Sequence, residues 1–225
     1  QLDRVFEIGA GVKVIMENVV IRGGLLVTTD INRYGAGIKN QGELELRRVV
    51  IENNEVRCGQ DICGFVTGGG LINYGKISMQ DSTIRNNISS DRGAAFSEVG
   101  SEFTIWSSTI ANNFSSNGYV VINNTNLKIR NSTLSGNASG SNDFGPALYN
   151  SGTLLVESST FANKGHNPSI RNEDGNVTIQ DTIFAAEPGN QNCAGDLSPT
   201  YWTSLGYNIY NDASCPATGT GDLIN

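Results

Sequence analysis

Charge is scarce in this chain. Only 16% of its 225 residues are Asp, Glu, Lys or Arg, well below the usual quarter. Solubility must therefore come from Asn, Ser, Thr and Gly. Basic residues are the rarer sign, with 15 Lys and Arg against 22 Asp and Glu, for a net charge of −7. Phosphate recognition needs clustered Lys and Arg, so nucleic acid is excluded as a partner, and an anionic membrane surface gains nothing electrostatically. No apolar run approaches the ~20 residues that cross a bilayer, so no direct membrane span is expected. There is a single histidine, His166 in KGHNPS, which reads as a loop residue at a coil corner. Paired C-x2-C spacing is missing too, so neither zinc nor any other metal or cofactor is expected. No signal peptide is visible, and a chain that opens on Gln1 reads as a mature product or a piece of one.

Four cysteines are present, in two local pairs. Cys58 and Cys63 flank RCGQDIC, and Cys193 and Cys215 bracket a segment near the end. Two local disulfides in an exported, extracellular protein are the expectation.

What is abundant is repetition. Seven segments share one phrase: NVVIRGG places Ile21, RVVIENN Ile51, STIRNN Ile84, STIANN Ile110, STLSGN Leu134, STFANK Phe161 and DTIFAA Ile183. The spacings are 30, 33, 26, 24, 27 and 22 residues. The longest contains an insertion at 57–67. Just upstream of each anchor lies a strand of alternating apolar residues, such as Leu44 and Leu46, Ile77 and Met79, or Phe103 and Ile105. Period two marks a strand with one buried face. A third short strand precedes it in each unit, as in GAGIKN, GGLINY and GPALYN. Gly42, Gly75, Gly100, Gly152 and Gly175, or Asn126 in one unit, then turn the chain, as residues that accept positive φ can do.

Three short strands per unit of about two dozen residues, with no helical period, predict an all-β, right-handed parallel β-helix of about seven coils, of pectate-lyase-like architecture. Residues 1–187 form the coils and 188–225 a capping tail. Asn at matching places can stack as ladders, because an amide both donates and accepts. One expected column is Asn54, Asn87, Asn113 and Asn137. Another is Asn40, Asn73, Asn124 and Asn150, interrupted by Glu98.

The units GGLINYGKISMQDSTIRNN and GPALYNSGTLLVESSTFANK resemble polymorphic-outer-membrane-protein-like repeats of bacterial exported proteins. The tail resembles that of choice-of-anchor Q domain proteins, with Cys193, then Ser204 to Asn208, Cys215, and Gly221 to Leu223. The resemblance spans nearly the whole chain and implies a bacterial cell-surface or secreted protein. It implies no reaction, since fold does not settle function.

Catalysis on a sugar polymer would need carboxylates converging on one bond. Asp81 and Asp181 fall at nearby places in the repeat but four coils apart, roughly 19 Å along the axis. Arg47, Arg130 and Glu157 read as solvated strand charges. The row Thr83, Thr109, Thr133, Thr160 and Thr182 should face solvent, but the residues two along do not form the second row an ice-binding face requires. Exposed aromatics Trp106, Tyr119 and Tyr149 fall in different coils, and Tyr201, Trp202, Tyr207 and Tyr210 are expected to cap the last one. Sequons begin at Asn87, Asn113, Asn123, Asn131, Asn137 and Asn176, candidates for glycosylation where exposed.

The expectation is a non-catalytic extracellular structural or adhesive module. A polysaccharide-active enzyme or carbohydrate-binding module is one alternative, and a filament subunit the other. Expected partners are glycans or cell-surface components, or further copies end to end. The loops after Arg57 and Ser139 offer contact points.

Overall fold

A computed structural model describes residues 3–28, 34–59, 66–100, 102–140, 147–162 and 168–225. Cys63, His166 and most of the 57–67 insertion lie outside these described residues, as does the segment 141–146 that follows Ser139. Every strand pairing is parallel, each strand running beside its counterpart one repeat away. The chain is a parallel β-solenoid of about seven coils, with no helix among the described residues.

Four sheets run along the axis. The first begins at Phe6–Ile8 and ends at Cys193–Gly195, with eight strands. The second holds the longest strands: Lys13–Glu17, Glu43–Arg47, Lys76–Gln80, Glu102–Trp106, Asn126–Arg130, Thr153–Glu157, Asn176–Gln180 and Trp202–Gly206. The third runs from Val20–Arg22 to Leu223–Ile224. The fourth, from Leu25–Thr28 to Ala138–Ser139, has five strands among the described residues, one in each of the first five coils, and adds a strand to the three expected per unit.

The alternation read from the sequence is the physical cause of the core. Leu44, Ile77, Phe103, Leu127, Leu154 and Val177 stack in register on the second sheet, each at most 1% exposed. Ile21, Ile51, Ile84, Ile110, Leu134 and Phe161 do the same on the third. Burying one such side chain stabilises by about 1.5–3 kcal/mol. The seventh anchor is Phe184, which pairs with Phe161, and not Ile183, which is exposed. Counted from the positive-φ corner, Asp181-Thr182-Ile183-Phe184 matches Ser158-Ser159-Thr160-Phe161 residue for residue, so Thr182 takes the inward place of Ser159 and Ile183 the outward place of Thr160. Phe161, Phe184 and Tyr210 then stack with centroids 5.1 and 5.4 Å apart.

The tail is more than a cap. Cys193–Gly195, Trp202–Gly206 and Ile209–Tyr210 extend the first three sheets by one rung, and Trp202 and Tyr210 fill its core. Cys193 and Cys215 are disulfide-bonded and both buried.

The corners differ from expectation. Gly42, Gly75, Gly100, Gly152 and Gly175 do not adopt positive φ. They are needed for close approach: a Cβ on Gly75 would lie 2.0 Å from the Gly42 carbonyl oxygen, and one on Gly152 2.2 Å from that of Thr125. Thr125, not Asn126, therefore holds the glycine's place in that coil. Positive φ falls instead just after each second-sheet strand, at Asn18, Arg48, Asp81, Ser107, Asn131, Ser158, Asp181 and Tyr207.

Candidate functional site

Two internal columns hold the coils in register and so fix everything displayed outside. The first is Asn54, Asn87, Asn113 and Asn137, all buried. Each side-chain amide donates to the next Asn Oδ1 at 3.0 Å along this row. The same oxygens also accept a backbone N–H from the coil before, as when Asn87 donates its N–H to Asn113 Oδ1. The second amide hydrogen goes to a carbonyl of the preceding coil, Ile51 for Asn87 and Ile84 for Asn113. Each amide is thereby used on both sides.

The other column is Asn40, Asn73, Glu98, Asn123, Asn150 and Asn172. Asn124, expected in it, lies one residue beyond and accepts the Ser151 hydroxyl at the surface. In the Asn123-Asn124 doublet, a one-residue slip sends the side chain to the opposite face. Asn73 donates to Glu98 Oε2 at 2.7 Å, while Gly100 N–H and the Thr125 hydroxyl donate to Oε1. Burial nevertheless pushes the Glu98 carboxyl above its ordinary range, against those hydrogen bonds.

A third column went unread in the sequence. Ser82, Ser108, Ser132 and Ser159 are buried, and each hydroxyl accepts the backbone N–H of the residue at the same corner one coil earlier, at 2.9–3.2 Å. Each hydroxyl also donates to the carbonyl two residues back. The Ser immediately before each Thr of the STI, STL and STF phrases was the available clue. Those Thr face outward as expected, except Thr182, which is buried.

This corner positions the candidate site. Along the outer face of the second sheet, the residues before it form one in-register row: Gln80, Trp106, Arg130, Glu157 and Gln180. The positive-φ residues Asn131, Ser158 and Asp181 stand beside the row. Together with Thr104 they line a groove of about 500 Å³. Trp106 is 55% exposed. Arg130 is ion-paired to Glu157 in the next coil. Glu157 and Asp181, on adjacent coils, thus line one groove, a carboxylate pairing not found in the sequence because Glu157 ends a strand and Asp181 sits in the following corner.

The same face is charge-laced in its earlier coils. Lys13 meets Glu43 at 2.8 Å, and Glu102 meets Lys76 at 3.4 Å and Lys128 at 2.8 Å. Hydrogen bonding to Lys128 holds the Glu102 carboxyl below its ordinary range. Further along, the equivalent positions are Asn126, Thr153 and Asn176, uncharged.

Tyr119 and Tyr149 are not apart, as their placement in different coils suggested. They stack at 4.2 Å, with the Arg92 guanidinium 5.4 Å from the Tyr119 ring centre. This three-layer stack borders a smaller pocket of about 290 Å³ against the first sheet. With both Tyr119 faces occupied, it reads as a clamp holding the preceding loop to the sheet.

Of the sequons, Asn87, Asn113, Asn123 and Asn137 are spent on the ladders and buried, so the folded chain cannot present them for modification. Asn131 and Asn176 are exposed. Cys63 lies outside the described residues, so the expected partner of Cys58 is not described.

No family model, curated protein or solved structure matches the chain.

Proposed function

We propose that this chain is an extracellular structural and adhesive module whose rigid solenoid presents one lateral face to other surfaces. The observation that carries the reading is the outer face of the second sheet. It is in register over its first seven strands, and midway along it an exposed Trp106 and a groove interrupt the ion-paired surface. A large exposed aromatic beside a polar-lined concavity marks interaction rather than solvation. The Cys193–Cys215 disulfide is compatible with an oxidising compartment. So is the resemblance of the repeats and tail to bacterial surface proteins with polymorphic-outer-membrane-protein-like repeats and a choice-of-anchor Q tail.

The test is adhesion by the chain displayed on an otherwise non-adherent cell. Retention on polysaccharide-coated or cell-coated surfaces should rise well above that of cells displaying a scrambled sequence. Equal retention on every surface would overturn the reading.

A polysaccharide-cleaving enzyme is the second reading, favoured by Glu157 and Asp181 lining one groove from adjacent coils. Against it, Arg130 already engages Glu157 in an ion pair within the groove. Release of reducing ends from a soluble polysaccharide, lost in Glu157→Gln, would establish it.

A further inference from the structure

Resting on that adhesive reading, we propose that the groove on the second sheet binds a single strand of neutral polysaccharide, lying parallel to the solenoid axis. Three features point there. The first is direction. The lining side chains Trp106, Arg130, Glu157 and Gln180 are one row, each from a successive strand. Neighbouring strands are about 4.8 Å apart, so the row runs roughly 14 Å along the axis, flanked by Thr104 on one side and by Asn131, Ser158 and Asp181 of the corner on the other. A site of that shape suits an extended chain, not a compact ligand.

The second feature is chemistry. Trp106 offers an exposed aromatic surface at one end of the row. The π-face carries negative charge density and suits the C–H face of a sugar ring. Beyond it come an amide, Gln180, and a guanidinium–carboxylate pair, Arg130 and Glu157. Beside these stand Asn131 and Ser158 of the corner. Amide, hydroxyl, donor and acceptor groups in sequence match a chain of hydroxyls better than a peptide backbone, which would seek an open sheet edge. This face has none at the groove, because each strand there is paired on both sides.

The third feature is charge. Arg130 and Glu157 neutralise one another, and Asp181 adds one negative charge to the lining. The whole chain carries −7. A polyanion such as a polyuronate would be repelled on approach, and a neutral strand would not. The serine column behind the corner fixes the carbonyls of Trp106, Arg130, Glu157 and, through Thr182, Gln180. The row is thereby held rigid before any ligand arrives, which lowers the cost of binding.

The experiment is a titration of the full chain with cellohexaose, mannohexaose and chitohexaose, and with hexagalacturonate as the acidic counterpart. Tryptophan fluorescence serves as one readout and backbone amide shifts as the other. Of the two tryptophans, Trp202 is buried in the last rung, so a ligand-induced change that disappears in Trp106→Ala belongs to the groove. The prediction is binding of at least one neutral hexamer, with shifts confined to the second sheet from Glu102–Trp106 onward. Trp106→Ala should weaken it at least tenfold, Gln180→Ala should weaken it less, and the acidic hexamer should not bind. Trp106→Phe, with the thermal midpoint as a folding control, should keep part of the affinity. Silence from all three neutral hexamers, binding unmoved by Trp106→Ala, or tighter binding of the acidic hexamer would each overturn the proposal. Adhesion separates the two levels of failure. Cells displaying Trp106→Ala that still adhere as wild type would sink the groove and leave the adhesive module standing; loss of adhesion by wild type itself would sink both.

Discussion

Asn113 receives the Asn87 backbone N–H and side-chain amide on one oxygen, and donates to the Ile84 carbonyl and to Asn137. Asn113→Leu keeps the size but strands these groups in a buried place. It should cost about 3 kcal/mol or more, since one orphaned buried group alone costs about 1–3 kcal/mol. A lower urea midpoint with unchanged slope would show it. Asn126→Ala, on the exposed face, should stay within about 0.5 kcal/mol. Glu98 gives a pH prediction. Its carboxyl is raised by burial, so the folded state holds the proton more tightly than the unfolded chain. That contribution is complete below the unfolded pKa, near the ordinary 4.5, and is lost as pH rises through the folded pKa. Glu98→Gln removes the loss and adds the amide donor this column lacks toward Asn123. The variant should therefore be the more stable protein at pH 7, by about 1 kcal/mol, with the advantage shrinking toward pH 4. Subtracting the two pH profiles is essential, because carboxyls held low, such as Glu7, Glu43 and Asp222, change stability in the opposite sense. Both ladders were legible because Asn recurs at a fixed offset from each anchor. The same count picks out Asn123 over Asn124, since Asn123 precedes Leu134 by the interval that separates Asn150 from Phe161. The serine column was hidden by its neighbour, since Thr draws the eye as a β-former while the smaller Ser makes the hydrogen bonds.

At the level of strands and corners, long alternating segments were readable and short ones were not. Lys76–Gln80 and its counterparts show period two over five residues. Ile88–Ser89, Phe114–Ser115 and Ala138–Ser139 have two residues each, too few for any period, and so the fourth sheet went unseen. The last rung was obscured differently. Trp202–Gly206 turns Leu205 outward, and its pairing slips in register opposite Ile179 and Gln180. That rung is fastened by Cys193 and Cys215, which close a loop of 22 residues. Cross-links of that span contribute about 3 kcal/mol, and in a solenoid each coil contacts only its neighbours. Replacing both cysteines by serine should thus loosen the end without melting the middle. Amide exchange should rise at Trp202–Gly206 and Ile209–Tyr210 while Phe103, Ile105, Leu127 and Ile129 stay protected. Uniform loss of protection along the chain would contradict this nearest-neighbour picture.

For the whole molecule, every functional argument depends on successive repeats stacking at a constant rise, since that is what aligns Trp106, Arg130, Glu157 and Gln180 into one groove. The groove was only partly legible in the sequence: its residues belong to four repeats, and their adjacency exists only after stacking. The third sheet supplies a ruler for the stacking itself. Val20, Val50, Thr83, Thr109, Thr133, Thr160, Ile183 and Ile209 are partners in succession, and both ends of the row are exposed. The most direct measurement is pulsed electron–electron resonance between a spin label at Ile209 and a second at Val20, Val50 or Thr83, in three doubly labelled proteins. Constant stacking predicts mean separations of roughly 34, 29 and 24 Å, falling by about 4.8 Å for each repeat removed. Separations that stay flat, or that change irregularly as the second label moves along the row, would contradict it.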